Sequence, residues 1–193
     1  MTQSIKLLFI AGSAREGSLN KKLARLGCDI ALANGLHATF ADLGDYPMPL
    51  YDGDLEAKSG VPDNAMKLHA LMSIHAGVFI ACPEYNASIT PLLKNTLDWI
   101  SRIKIGAAGS VYGSRVFALG AASPGGFGGM RGLIATRQVL ELGLGALVLP
   151  DQVAIAKASD AFEANGHLKD KAQQAMLKAV IEKLARAAKV LHG

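Results

Sequence analysis

The fold is decided by the stretch Ile10-Ala11-Gly12-Ser13-Ala14-Arg15-Glu16-Gly17-Ser18-Leu19-Asn20. This stretch follows an apolar run over 5–10 and precedes apolar residues at helical spacing. A strand, a loop bracketed by glycines and a helix, in that order, form a geometry suited to binding phosphate. Hydroxyl, amide and guanidinium groups in the loop can add donors to the N–H groups that begin the helix. The alternative is a plain turn in which Ser18 only caps the helix.

The same loop lacks the features of the two common nucleotide-binding loops. Gly12 and Gly17 have the spacing of G-x-x-x-x-G-K-[ST], but Ser18 stands where that motif places its lysine. The dinucleotide fingerprint G-x-G-x-x-G is also absent, because Ala14 occupies the position of its second glycine. The loop therefore favours a single terminal phosphate over a pyrophosphate or a triphosphate.

Apolar runs and helical patterns alternate along the rest of the chain. Strands are predicted over 5–10, 37–41, 77–82, 115–120 and 146–149. Further helices are predicted to begin near Pro62, at Pro91, near Met130 and near His167, and 43–60 is predicted to be a long surface loop. The alternation predicts one α/β domain over 1–193, a five-stranded parallel sheet with helices on both faces.

Three loops of unusual composition follow the C-terminal ends of predicted strands, the edge at which such sheets bind ligands. We call them loop 1 (12–20), loop 2 (83–90) and loop 3 (123–129). Because strand ends of one kind share one edge of a parallel sheet, all three loops are expected to meet in one crevice.

Loops 2 and 3 could both approach a planar ligand. In loop 2, Pro83 keeps the following peptide groups out of the sheet. Their N–H and C=O groups could then pair with the edge of a heterocycle. Tyr85 could shield that ring or line a substrate cleft; the alternative is a solvated Glu84 and a Tyr85 packed on the surface. In loop 3, four glycines within five residues allow close approach or mobility, and Ser123 is expected to reach a ligand. A flexible turn is the alternative there.

Composition and charge argue against several other functions. The 193 residues carry a net charge of +4, spread along the chain, which favours anionic ligands without indicating a nucleic-acid arm. No apolar run reaches the ~20 residues needed to cross a bilayer, and 1–4 lead directly into a strand without a leader pattern. A cytoplasmic protein that binds neither nucleic acid nor membrane is therefore expected.

The residue types for other chemistries are sparse. The five histidines show no paired ligand spacing and the two cysteines are dispersed, so no metal site is expected. Cys82 is interpreted as a small buried residue rather than a nucleophile. Trp99 is interpreted as a core or interface residue.

Two blocks of the chain resemble the NAD(P)H-dependent FMN reductase family, which includes quinone, chromate and azo-dye reductases. The blocks are loop 1, and Pro83-Glu84-Tyr85-Asn86 with the following Leu-Lys-Asn-Thr-Leu-Asp-Trp of 93–99. The resemblance extends from about 5 to 148, and loop 3 with its continuation to Arg131 is similar in kind. It implies a flavodoxin-like fold, bound FMN, NADH or NADPH as electron donor, and a small-molecule acceptor. It also implies a homodimer or homotetramer with contacts from the helices at Pro91 and Met130.

The resemblance also assigns the FMN contacts by position. Within loop 1, which contains Gly12, the phosphate and the start of the ribityl chain are assigned to Ser13, Arg15, Ser18, Leu19 and Asn20. The isoalloxazine is assigned to Pro83, Glu84, Tyr85 and Asn86, with Ser123 on its other side. Ile89 and Thr90 stand where many relatives have proline or glycine, a change that could reshape the substrate cleft.

The resulting hypothesis is ping-pong hydride transfer through FMN from NAD(P)H to a quinone or a similar acceptor such as FMN, an azo dye or chromate. It requires no side chain as an obligatory acid or base. One alternative is a flavodoxin-like electron carrier without direct NAD(P)H turnover. Short-chain flavodoxins, however, have threonine-rich phosphate loops and tend to be acidic. The other alternative is a flavin-free module that binds anions.

Overall fold

The centre of the molecule is a five-stranded sheet in the order β2-β1-β3-β4-β5, in which every neighbouring pair is parallel. A computed structural model describes residues 5–104 and 109–192. The strands are β1 (Lys6–Ala11), β2 (His37–Asp42), β3 (Gly77–Ala81), β4 (Val116–Ala122) and β5 (Leu147–Ile155). This is the flavodoxin-like order, and it confirms the predicted sheet. The direction of winding changes between β1 and β3.

The described residues form six α-helices, five of which pack on the two faces of the sheet. They are α1 (Leu19–Ala33), α2 (Gly53–Ser59), α3 (Asp63–Ser73), α4 (Pro91–Ser101), α5 (Met130–Gln138) and α6 (Lys171–His192). One buried cluster lies between the sheet and α1 with α6, and the other lies between the sheet and α3, α4 and α5. Strands β3 and β4 are buried along their whole length, as continuous apolar runs in a parallel sheet require. Helices on both faces are therefore confirmed.

Three element boundaries differ from the sequence predictions. Strand β5 continues to Ile155, past Pro150, with a register irregularity against β4 between Phe117 and Leu119. Helix α6 begins at Lys171 rather than near His167. The helix from Met130 is α-helical to Gln138 and continues as a π-helical turn over Val139–Gly143. The first two errors arose because polar residues and proline interrupt the apolar patterns.

The prediction of a long loop over 43–60 is wrong. The segment contains a 3₁₀ turn (Leu43–Asp45) and α2, whose N-terminus is capped by the Asp52 carboxylate. Its middle is held on α4, because the Trp99 indole donates to the carbonyl of Pro49 at 2.8 Å. The Asn95 amide donates to the same carbonyl at 2.9 Å. Asp42 and Asp52, which in the sequence are typical of a loop, cap the 3₁₀ turn and α2. Trp99 is fully buried in the core.

No helix within 5–104 and 109–192 is both long enough and apolar enough to span a membrane. Residues 1–4, on which the expectation about a leader depended, lie outside the described residues. A single domain over 1–193 stays a prediction.

Candidate functional site

A cavity of about 310 Å³ lies at the C-terminal edge of the sheet, at the change of winding between β1 and β3. All three loops contribute to its walls. Nine of the eleven predicted site residues line it, and these are Ser13, Arg15, Ser18, Leu19, Asn20, Pro83, Glu84, Tyr85 and Ser123. Gly12 and Asn86 are not among the lining residues. Gly17, Ala122, Pro124 and Ser159 complete the lining.

The start of α1 supplies hydrogen-bond donors to this cavity. Ser18 caps the helix, and its hydroxyl accepts from the N–H of Lys21 at 3.3 Å. The N–H groups of Leu19 and Asn20 belong to the first turn, which has no intrahelical acceptor for them. Together with the helix dipole they favour an anion at this end of the cavity. Ser18 therefore both caps the helix and lines the cavity.

The Asn20 side chain joins loop 1 to the end of β4. Its Nδ2 donates to the carbonyl of Ala122 at 2.8 Å, and the N–H of Ala122 donates to its Oδ1 at 3.0 Å. The residue is almost fully buried. The amide of Asn20 thus holds two walls of the cavity together across 102 positions of sequence.

A buried lysine behind loop 1 was missed by sequence reasoning. Lys21 forms an ion pair with Asp42 at 2.6 Å and donates to the carbonyl of Ala14 at 3.1 Å. It therefore holds loop 1 against the end of β2. No local sequence signal distinguishes Lys21, on α1, from the exposed Lys22 beside it, because its partner Asp42 lies at the end of β2.

Gly12 supports the cavity from behind. Its N–H donates to the carbonyl of Ala81 at 2.9 Å, and its own carbonyl accepts from the Thr90 hydroxyl at 2.7 Å. A Cβ at this position would lie 3.0 Å from the Cβ of Leu93 and 3.1 Å from Cδ of Pro83. Gly12 therefore allows loop 1 to pack closely on loop 2 and α4.

Glu84 anchors loop 2 to the start of α5. The Gly132 N–H donates to its carboxylate at 3.1 Å, and Arg131 forms an ion pair with it. The Glu84 side chain is only 8% exposed, which contradicts the alternative in which it is solvated. Burial raises the pKa of Glu84, but hydrogen bonds from Arg131 and from the Gly132 N–H outweigh it and hold this pKa below its ordinary value. The carboxylate is therefore ionised and committed to this contact at neutral pH.

In loop 2, Tyr85 lines the cavity, whereas Asn86 lies in the turn and does not. The backbones of Tyr85 and Ser88 exchange hydrogen bonds of 3.1 and 3.0 Å around Asn86 and Ala87, both of which have positive φ. Asparagine tolerates that conformation better than most residues, so Asn86 suits the turn itself. Tyr85 lines the cavity and is 47% exposed, which leaves it accessible to a ligand.

Loop 3 is packed against the segment that follows β5. The Ser123 N–H donates to the carbonyl of Ile155, and the Ala158 N–H donates to the carbonyl of Ser123, both at 3.0 Å. Gly129 has φ +88°, and a Cβ there would lie 2.7 Å from the Cβ of Ala121. The glycine at this position therefore serves close packing. Ser159 was missed because β5 was predicted to end too early.

The structure supports the interpretation of Cys82 as a core residue. Cys82 is fully buried, its Sγ lies 2.9 Å from the Thr136 hydroxyl, and burial raises its pKa to about 11. Such a thiol is protonated at neutral pH and is a poor nucleophile. Among the described residues, no three His, Cys, Asp or Glu side chains lie close enough together to hold a metal ion.

Comparison with known proteins assigns the family. Residues 5–160 match the family model described as NADPH-dependent FMN reductase. The chain is 30% identical over 194 residues to an NAD(P)H-dependent FMN reductase from Pseudomonas aeruginosa, with full coverage of both chains. It is 30% identical over 186 residues to a quinone reductase from Pseudomonas putida, covering 96% of this chain and 95% of that protein.

A solved structure agrees with these relatives at the level of the fold. The flavoenzyme NAD(P)H:(acceptor) oxidoreductase FerB from Paracoccus denitrificans superposes with a TM-score of 0.81 and 23% identity. The match covers 97% of this chain and 98% of that chain. With the family match over most of its length, the chain belongs to the NADPH-dependent FMN reductase family and is an NAD(P)H-dependent flavin oxidoreductase with FMN as its cofactor.

Proposed function

We propose that the cavity at the C-terminal edge holds FMN and that the enzyme passes two electrons from NAD(P)H to a quinone or a similar acceptor. The observation that supports this site is the convergence of nine predicted contact residues, from three separate loops, on one cavity. The acceptor class is supported by the names of two relatives, an NAD(P)H-dependent FMN reductase and a quinone reductase.

The loop 1 end of the cavity fits a phosphate monoester. The hydroxyl oxygens of Ser13 and Ser18 already accept from backbone N–H groups, so their hydrogens remain available to donate. The N–H groups of Leu19 and Asn20 add two further donors. Arg15 lines the cavity from the exposed side of the loop and adds a positive charge. This set supplies donors without a competing carboxylate.

The opposite end fits a planar ring system. Pro83 and Tyr85 line it on the loop 2 side, and Ser123 and Pro124 line it on the loop 3 side. The nearby carboxylate of Glu84 is bound to Arg131 and α5, so its negative charge is neutralised. The protein therefore offers the ring backbone amides and uncharged side chains.

When bound, FMN supplies the electron-transfer and hydride-transfer chemistry, while the residues of the chain position it and tune it. Glu84 has a lowered pKa and is ionised, so it is a poor proton donor at neutral pH. We infer that no side chain of the cavity is an obligatory acid or base. We also infer a ping-pong order, in which donor and acceptor use the open side beside Tyr85 in turn.

The test begins with the visible absorbance of the purified protein and its bleaching after anaerobic addition of NADPH. Arg15→Ala is expected to weaken FMN binding about 10- to 100-fold, the effect of one charge-assisted hydrogen bond. The rate of flavin reduction at saturating FMN is expected to stay unchanged. Arg186→Ala is the matched control, because it removes the same charge from an exposed position on α6.

Two outcomes would contradict these proposals. If Arg15→Ala binds FMN as tightly as the unmodified protein, the assignment of the FMN phosphate to loop 1 is wrong. Slow NADPH oxidation with saturating quinone, together with fast electron exchange with a redox protein, would favour the flavodoxin-like carrier.

We further propose a cytoplasmic homodimer or homotetramer that uses α4 and α5 as contact surfaces. Two apolar side chains on α5 and its π-helical extension support a contact there, since Ile134 is 60% and Leu142 is 82% exposed. Light scattering after gel filtration is expected to give a mass that is two or four times 20.2 kDa. A monomer at micromolar concentration would contradict the proposal.

A further inference from the structure

A second cavity lies at the opposite, N-terminal edge of the sheet. It has a volume of about 410 Å³ and lies between the starts of β1 and β4 and the ends of α3 and α6. Its polar lining consists of Lys6, Ser73, His75, Arg115 and His192, and we call it the basic cavity. An adjoining cavity of about 250 Å³ shares Lys6 and His75 with it. The two cavities together form a groove across the starts of the strands.

The charge of the basic cavity has one sign. Lys6 and Arg115 are cations, and none of the described residues in the lining is an aspartate or a glutamate. Within 5–104 and 109–192, neither cation has a carboxylate within 4 Å. Arg115 is partly buried and Lys6 is exposed. Two cations on one concave surface, with no ion-pair partner among the described residues, favour an anionic ligand.

The guanidinium of Arg115 is fixed in place by backbone carbonyls. Its Nε donates to Met72 at 3.1 Å, its Nη1 donates to Ser114 at 2.7 Å, and its Nη2 donates to Ser73. These bonds use three of its five N–H groups, which leaves one on each terminal nitrogen. Because the side chain is already ordered, little conformational entropy is lost when a ligand uses the remaining two donors.

The two histidines of the cavity have different roles. His75 donates through Nδ1 to the carbonyl of Leu71 at 2.7 Å, and its Nε2 lies 3.0 Å from the Thr39 hydroxyl. Both of its nitrogens are therefore engaged. His192 lies on the last turn of α6, where burial and the charge of Arg115 lower its pKa despite a hydrogen bond with the backbone of Ser114. His192 and Arg115 therefore line the same cavity.

We propose that the basic cavity is a second ligand site, which binds a small oxyanion of the phosphate or phosphomonoester type between Lys6, Arg115 and His192. The apolar side chains of Ile5 and Ile74 in the lining reduce the competing hydration of such a ligand. The site is remote from the flavin cavity. Strand β1 separates the two edges by six residues, or about 20 Å at ~3.3 Å per residue.

The experiment uses the FMN-loaded enzyme, so that inorganic phosphate does not compete for an empty flavin site. Phosphate is titrated at constant ionic strength against chloride, and the backbone amide resonances of Lys6, Ser73 and His192 are followed by NMR. Saturable shifts confined to this edge of the sheet are expected. The flavin absorbance is expected to stay constant, because the site does not depend on the proposed flavin contacts.

The double variant Lys6→Gln/His192→Gln tests the site without removing the structural contacts of Arg115. It is expected to weaken phosphate binding at least about 10-fold, as the loss of charge-assisted hydrogen bonds predicts. Lys22→Gln/His167→Gln is the matched control, because it changes the same residue types at exposed positions. It is expected to bind phosphate normally.

Two results would overturn the proposal. One is the absence of saturable shifts in the unmodified enzyme, and the other is equal phosphate affinity in the Lys6/His192 variant. A parallel titration with glycerol phosphate identifies the source of the oxyanion. Tighter binding of the ester indicates a phosphomonoester ligand, and equal binding indicates free phosphate; both results support the site.

Discussion

The two edges of the sheet use charge in opposite ways. At the C-terminal edge, the ion pair Lys21–Asp42 joins α1 to the end of β2, and Glu84–Arg131 joins loop 2 to α5, around the cavity proposed to hold FMN. At the N-terminal edge, Lys6 and Arg115 line a cavity to which the described part of the chain contributes no aspartate or glutamate. The C-terminal edge therefore uses ion pairs to shape the walls of its cavity, with Arg15 as a further cation in the lining. At the other edge, no ion pair among the described residues involves the cations of the cavity.

Helix direction explains much of this difference. In a parallel sheet with crossover helices, the helices begin at the C-terminal edge of the strands and end at the N-terminal edge. The start of α1 thus brings free N–H groups to the cavity at the C-terminal edge, where they favour an anion together with the charge of Arg15. The end of α3 brings free carbonyls to the other edge, and Arg115 satisfies those of Met72 and Ser73. The same cation then remains available to a ligand.

The largest effect is expected from Asn20→Asp, which keeps the shape of the side chain at the flavin edge. A carboxylate would face the carbonyl of Ala122 and lose the 2.8 Å hydrogen bond in a buried position. The free energy of unfolding is expected to fall by about 3 kcal/mol, and FMN binding is expected to weaken as well. Urea unfolding and fluorescence titration with FMN measure the two effects.

Asn165→Asp is the control for Asn20→Asp, because Asn165 is exposed and its side chain only accepts from the N–H of His167. It is expected to leave both quantities unchanged. Normal stability of Asn20→Asp would show that the link between loop 1 and β4 does not stabilise the fold.

At the other edge, Arg115→Met is expected to lower the free energy of unfolding by about 2 kcal/mol. The change removes three hydrogen bonds to carbonyls while it keeps most of the apolar volume. FMN affinity is expected to stay within about twofold, because the site is at the far end of the strands. Urea unfolding and FMN titration check this, with Arg186→Met as the exposed control. A large loss of FMN affinity would show that the edges are coupled.

Lys21→Met is expected to weaken FMN binding about 10-fold, because loop 1 loses its contact at the carbonyl of Ala14. Lys21→Arg, which keeps a cation near Asp42, is expected to recover part of the affinity. Lys22→Met changes the neighbouring exposed lysine and is expected to bind FMN normally. Fluorescence titration gives the three constants. An equal loss of FMN affinity in Lys21→Met and Lys22→Met would mean that the net charge of the protein, and not the contact of Lys21 with loop 1, sets the affinity.

The smallest effect concerns the pH dependence of stability at the N-terminal edge. Burial, with further contributions from the charges of Lys6 and Arg115, lowers the pKa of His75 in the fold despite its bond to Leu71. The unfolded chain therefore takes up a proton near pH 6.5 that the native state resists, and stability falls as the pH drops through that value. His75→Asn, which keeps a donor for the Leu71 carbonyl, is expected to make this fall shallower. Urea midpoints between pH 8 and 5.5 test it.

The sheet and the convergence of the three loops on one cavity could be predicted from sequence, because both depend on local patterns. Buried parallel strands require continuous apolar runs, and Gly12 to Asn20 combine turn, cap and donor residues within one stretch. Strand β5 was harder, because proline and aspartate within it are typical of a turn. Only its pairing with β4 keeps that part of the chain extended.

The sequence alone therefore determined the fold class, the family and the loops that line the cavity, since each is encoded by neighbouring residues. Tertiary structure decided the partners of its charged and amide side chains. Asn20 meets Ala122, Lys21 meets Asp42, and Glu84 meets Arg131. These partners lie on different elements, and only the folded sheet and its helices bring them within hydrogen-bonding distance. The basic cavity has the same origin, because Lys6, Arg115 and His192 come from the starts of two strands and the end of α6.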